Sequence, residues 1–138
     1  MSSLIQTFLS SLTDLDHAKT LITTDARFIA VREQNYPDLP LYGTFTGAEG
    51  LVAFITGLRA NFDTQRFHLD HVIETDQMGA GFGRFEHRIR STGHMFRSHW
   101  AVLCHYSGGK IAQYRFYEDT AALEQAMAVQ TDCVETIG

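Results

Sequence analysis

Cysteine is scarce in this chain of 138 residues: Cys104 and Cys133 are the only two, too few for a disulfide framework. Proline is equally rare, and both copies, Pro37 and Pro40, fall inside 33–44, which reads as an ordered loop rather than a domain linker. Basic side chains are outnumbered, 11 against 16 acidic, and the net charge of -5 excludes a nucleic-acid partner, whose phosphates need a basic face. The stretch Arg88 to His94 is locally basic but too short and isolated to change that. No apolar run approaches a membrane span, and Met1-Ser2-Ser3 lacks the basic region of a signal peptide, so no membrane partner and a reducing cytoplasm are expected. Repeats and low-complexity tracts are absent too. One domain over 1–128 with a polar, flexible tail over 129–138 is the expectation.

What is present is aromatic. Ten Phe, five Tyr and one Trp suffice to fill a core and also line a cavity. Leu4, Ile5, Phe8, Leu9 and Leu12 recur at helical spacing, and Asp16 is placed to cap a short second helix. Residues 25–32 suggest a strand. Thr46-Gly47-Ala48-Glu49 matches a capping box, followed by a helix burying Leu51, Phe54, Ile55, Leu58 and Phe62. Strands follow near 66–76, 79–90, 95–106 and 110–118, then a helix over 120–128. Helices first and a curved antiparallel sheet afterwards is an α+β plan.

The turns set the register. A two-residue hairpin at Thr92-Gly93 pairs His87 with Ser98 and Phe85 with Trp100. A three-residue turn at Ser107-Gly108-Gly109 pairs Trp100 with Phe116 and Ser98 with Glu118. Directly opposed side chains share a face, roughly 5 Å apart. One face then carries Phe85, Ile89, Phe96, Trp100, Val102 and Phe116, crossed by the row His87–Ser98–Glu118. The other carries Arg84, Glu86, Arg88, Arg97, His99, Arg115 and Tyr117. A slip of one residue in either turn would exchange the faces.

The row is the candidate catalytic group. His87 and Glu118 flank Ser98 on an apolar wall, where desolvation raises a carboxyl pKa and lowers that of a histidine, both expected to approach neutral pH for general acid–base work. Ser98 would orient a substrate oxygen; with the serine in the middle and histidine at the edge, acyl transfer is excluded. The competing reading is a polar trio that satisfies itself at a pocket rim. Tyr42 could reach the pocket mouth or simply pack over it, and Arg32 could greet an anion or sit solvated at a strand end. Seven histidines raise a metal site, but His68 with His71, and His94 with His99, differ in strand parity, and none is expected.

The run Gly108 to Thr120, with Leu41-Tyr42-Gly43-Thr44-Phe45-Thr46-Gly47 upstream, resembles the SnoaL-like branch of the nuclear transport factor 2-like superfamily. That resemblance implies a cone: a bent sheet around a long helix, with a hydrophobic pocket for a small hydrophobic molecule and no cofactor. Its expected ligand contacts are Phe28, Tyr42, Phe54, Phe85, Phe96, Trp100, Val102, Tyr114 and Phe116. Alignment with limonene epoxide hydrolases puts their catalytic arginine and aspartates on Gly83, Phe85 and Phe116, and their water-holding pair on Phe28 and Ala30. The ketosteroid isomerase aspartates fall on Ala30 and Val102. Neither mechanism transfers. What stays open is a cofactor-independent isomerase, cyclase or dehydratase using His87 and Glu118, or a binding module without chemistry. Many relatives dimerise through the outer sheet face, here Glu86, Arg97, His99, Leu103, Arg115 and Tyr117, and a homodimer is expected there.

Overall fold

Ser3 opens the first helix in a computed structural model that describes residues 3–37, 39 and 41–128. Its hydroxyl accepts from the Gln6 amide while the Gln6 side chain accepts from the Ser3 amide, a reciprocal cap on α1 (Leu4–Ser10). A 3-10 turn (Ser11–Thr13) leads into α2 (Leu15–Lys19), capped by Asp14 rather than Asp16. Then come β1 (Ile22–Ala30), β2 (Gly43–Thr46), α3 (Gly47–Asn61), β3 (Phe62–Glu74), β4 (Met78–Ile89), β5 (Met95–Ser107), β6 (Lys110–Glu118) and α4 (Thr120–Met127). The tail expected over 129–138, and Pro40, lie outside the described residues.

These elements form the α+β plan, a curved, unclosed six-stranded sheet in the order β2-β1-β6-β5-β4-β3. All neighbouring strands are antiparallel except β1 and β6, which run parallel and pair Phe28 with Tyr114 and Ala30 with Phe116. Strand β1 is thus bonded on both edges, and Phe28, Ile29 and Ala30 are buried. Thr46 precedes α3 without a side-chain cap bond, so the expected capping box does not form. Phe62 fits the helical stripe of Leu51, Ile55 and Leu58 but adopts extended backbone (φ -121°, ψ 133°) and starts β3 four residues before the expected position.

Both hairpins differ from expectation, each by two residues of pairing. Between β4 and β5 the loop holds four residues, 90–93, closed by the bond from the Ile89 amide to the His94 carbonyl (2.8 Å). Between β5 and β6 the loop is Gly108-Gly109 alone, with φ of +58° and +77°, the left-handed pair a tight two-residue hairpin requires. A bulge between His105 and Tyr106 adds one more step. Ser98 therefore faces Phe85, His87 faces Phe96, and Glu118 faces Trp100. A shift of two moves every partner but turns no side chain over. Phe85, Ile89, Phe96, Trp100 and Val102 are all buried, whereas Arg84, Arg88, Arg97, His99 and Tyr117 are exposed.

Aromatic rings bind the sheet to the helices. Phe8, Phe28, Phe54 and Tyr114 meet at centroid distances of 5.5–6.4 Å. Trp100 lies over Gly83, between Phe67 (4.9 Å) and Phe116 (5.6 Å). Its Nε1–H is buried and has no partner among the described residues. Val31, directly after β1, holds φ of +66°, a strained position for a β-branched residue, and it lines the cavity described below.

Candidate functional site

Between the sheet's inner face and the helices lies a cavity of about 440 Å³, within the range that holds a drug-sized molecule. Helix α3 gives Phe54, Ile55, Leu58 and Arg59; α1 and the turn after it give Leu9, Leu12 and Thr13. The loop before β2 brings Leu41 and Tyr42, and the sheet adds Phe62, Thr64, Phe67, His87, Tyr114, Phe116 and Glu118. Most of this wall is apolar. Its polar groups are few and therefore informative.

Glu118 ends β6, where period two directs it to the same face as Phe116 and Tyr114. Burial pushes its carboxyl up from 4.5 to about 7, against the opposing pull of the Tyr42 hydroxyl, which donates to Oε2 at 2.9 Å. The Tyr42 phenol is itself raised, by burial first and the Glu118 charge second, so it stays a donor. Thr120 Oγ1 lies 3.5 Å from the same phenol oxygen. A carboxyl poised at neutral pH and steadied by a permanent donor can accept and return a proton.

His87 is built differently. Its ring is stacked between Phe62 (4.6 Å, 3°) and Phe85 (4.1 Å, 26°), and Nδ1 shares a 2.9 Å hydrogen bond with Thr64 Oγ1. Desolvation lowers its pKa to about 4. The shift expected from the sequence carries it past the useful range, because the ring is sealed by two phenyl faces rather than merely placed near them. His87 is a neutral hydrogen-bonding group at pH 7, and a weak base.

The row of three is not assembled. His87 and Glu118 both line the cavity, but their rows on β5, at Phe96 and Trp100, are four residues apart, roughly 13 Å of strand. Ser98 lines a separate depression outside it, beside Arg66, His68 and Arg97. Its hydroxyl donates to the His99 carbonyl and accepts from the Asp119 amide at 3.0 Å, a strand-end tie. The changed hairpin lengths are the reason.

Of the expected ligand contacts, Tyr42, Phe54, Tyr114 and Phe116 line the cavity. Phe28, Phe96 and Val102 are core residues behind it, and Phe85 and Trp100 form the layer beneath Phe67 and His87. Arg32 points away, its guanidinium 5.0 Å over the Tyr36 ring. Cys104 is buried, its thiol pushed up to about 12 and inert. Sequence reasoning missed Thr64, Arg59 and Arg90. Arg59 follows Ile55 by four residues on one helix face, which is a readable signal, whereas Thr64 became visible only once β3 was known to begin at Phe62.

Comparison with solved structures agrees with this architecture. An NTF2-like protein of Burkholderia thailandensis E264 is 22% identical, with a TM-score of 0.80 over 91% of this chain and 95% of that one. A protein of Catenulispora acidiphila with a ketosteroid isomerase-like fold is 13% identical, with a TM-score of 0.71 over 88% and 89%. A candidate SnoaL-like polyketide cyclase of Mesorhizobium loti is 18% identical, with a TM-score of 0.66 over 83% and 95%. Among curated proteins, none matches the chain. A model of the SnoaL-like domain matches residues 9–114, and with three-quarters of its length inside that match the chain belongs to the SnoaL-like family.

Proposed function

We propose that the protein is a cofactor-independent acid–base catalyst, an isomerase, cyclase or dehydratase that moves a proton on an apolar substrate with Glu118. The observation that carries this is the carboxyl of Glu118 facing an apolar cavity, its pKa raised by burial to about 7 and its oxygen held by Tyr42. Tyr42 positions the carboxyl, and His87 with Thr64 offers a neutral hydrogen-bonding edge further along the wall. The candidate polyketide cyclase of Mesorhizobium loti and the protein of Catenulispora acidiphila with a ketosteroid isomerase-like fold share the fold on which this reading is built.

A small C–H acid tests it. With 5-nitrobenzisoxazole, the Glu118 carboxylate takes the ring C–H proton, the C–H electron pair becomes the nitrile bond, and the N–O bond breaks to release a coloured phenolate. The rate should rise with pH and level off above about 7, where the carboxylate form dominates. In Tyr42→Phe the donor that favours the charged form is gone, so the inflection should move to higher pH. An inflection that stays put or falls would remove Tyr42 from this role. The second reading, a binding module, rests on the missing catalytic sets at Gly83, Phe85, Phe116, Phe28 and Ala30. It predicts tight binding of the benzisoxazole with turnover no faster than acetate gives in water.

We also propose that a second copy covers the outer sheet face. Phe82 and Tyr117 are each 42% exposed and Ile73 67%, in two adjoining rows, Ile73–Ala80–Leu103–Arg115 and His71–Phe82–Ala101–Tyr117. Beside them stand the pairs Arg84–Asp70 (2.8 Å) and Arg97–Glu86 (3.8 Å). A patch carrying both charge signs around an apolar strip can complement itself across a two-fold axis. Sedimentation should give a dimer mass, reverting to the monomer in Phe82→Glu; a monomeric parent protein would overturn this.

A further inference from the structure

Two arginines share the cavity wall without an acidic partner. Arg59, in the last turn of α3, donates to the Leu12 carbonyl, and Arg90, the first residue after β4, donates through Nε to the Arg59 carbonyl at 2.9 Å. Both residues are exposed, and these bonds use one nitrogen of each guanidinium, leaving other N–H donors for a ligand. Among the described residues no carboxylate lies within ion-pair distance of either, as is also true of Arg32, Arg66 and Arg88, whereas Arg27, Arg84, Arg97 and Arg115 are ion-paired. Arg59 and Arg90 are the two that line the cavity.

Their place relative to Glu118 follows from the register. Arg90 adjoins the Ile89–His94 closure, whereas Glu118 pairs with Trp100, six residues further along β5. By the same register Phe62, opposite Ile89, and Phe67, opposite Phe85, lie on the rows between and line the cavity. One region thus offers two planar forks suited to a carboxylate, and the other a carboxyl that would repel one.

We propose that Arg59 and Arg90 hold the carboxylate of an amphiphilic organic acid, whose apolar body extends through the cavity toward Glu118. This rests on Glu118 being the proton-transfer group only for which end reacts. The anionic head goes to the arginines; the neutral carbon skeleton goes to Glu118. The substrate class is therefore an apolar acid, rather than a neutral terpene or an amine.

Calorimetry on the intact protein at pH 8 and low salt compares decanoate with decanol. Decanoate should bind at least tenfold more tightly. Arg90→Gln and Arg59→Gln should each erase most of that preference while leaving decanol unchanged, and raising salt to about 0.5 M should do the same to the parent protein, needing no variant. Glu118→Gln should retain the preference, which separates this inference from the catalytic reading: the benzisoxazole rate fails there, the acid preference does not. Equal affinity for the two probes, tighter binding of decanol, or binding of neither overturns it.

Discussion

Replacing Glu118 by glutamine is expected to slow benzisoxazole turnover by a factor of about 10² to 10⁴ and, above neutral pH, to make the protein more stable. The first effect removes the cavity carboxyl that titrates near 7. The second follows from linkage. The folded pKa of Glu118 is raised from 4.5 to about 7, so its burial is free of penalty below 4.5, loses stability steadily as pH rises from 4.5, and carries the full cost once pH has passed through 7. At 1.36 kcal/mol for each pH unit, the native state carries roughly 3 kcal/mol of this cost at pH 8. Glutamine never ionises, and its carbonyl still accepts from Tyr42.

His87 acts with the opposite sign. Its folded pKa is depressed from 6.5 to about 4, so its contribution is complete above 6.5 and is lost as pH falls toward 4. Between 4.5 and 6.5 the two slopes cancel in the parent protein, and its stability should be flat there. In Glu118→Gln the His87 slope stands alone, and stability should climb by about 3 kcal/mol from pH 4 to 6.5. Urea unfolding across that range checks both claims. A flat curve in the variant, or a parent as stable as the variant at pH 8, would show that Glu118 is not held in the state described.

The second large effect belongs to Gly83. A Cβ there would meet the His68 carbonyl oxygen and would lie 2.6 Å from Trp100 Cζ2. Trp100 cannot yield easily, since its indole is stacked against Phe67 and Phe116. Overpacking alone costs about 1–3 kcal/mol, and a backbone contact adds to it, so Gly83→Ala should lose more than about 3 kcal/mol. Trp100 is the only tryptophan in the chain, so its fluorescence reports both the loss and any displacement of the ring. Adding Trp100→Leu, which also deletes a buried N–H that has no partner among the described residues, should recover part of the loss. A loss under about 0.5 kcal/mol would mean the glycine is not required there.

How far the sequence could be read is shown by the same residues. Which side chains face inward was legible, because alternation survives any even slip. Which residues stand opposite was not: Arg90 to Gly93 form a loop twice the expected length, and the bulge after His105 leaves no composition signal. That is why Glu118 was recognisable as an inward carboxyl while its partner Tyr42 and its distance from His87 were not. Phe62 satisfied helical spacing equally well and hid the start of β3. Arg59 stands four residues after Ile55, a spacing that puts it on the buried face of α3, but a cation at a helix C-terminus also suits the dipole, and the cavity decides between the two. The parallel pairing of β1 with β6 joins residues so far apart in the chain that no local pattern announces it.

That pairing has a kinetic consequence. Strand β1 leaves the ribosome early, yet one of its two edges must wait for residues 110–118, nearly the whole polypeptide later. Contacts this distant in sequence slow the search for the native state. The meander from β3 to β6 can zip from its own hairpins, whereas the wall that holds Val31, Tyr42 and Glu118 closes last. Nascent chains should therefore acquire their sheet before they acquire a hollow able to bind anything.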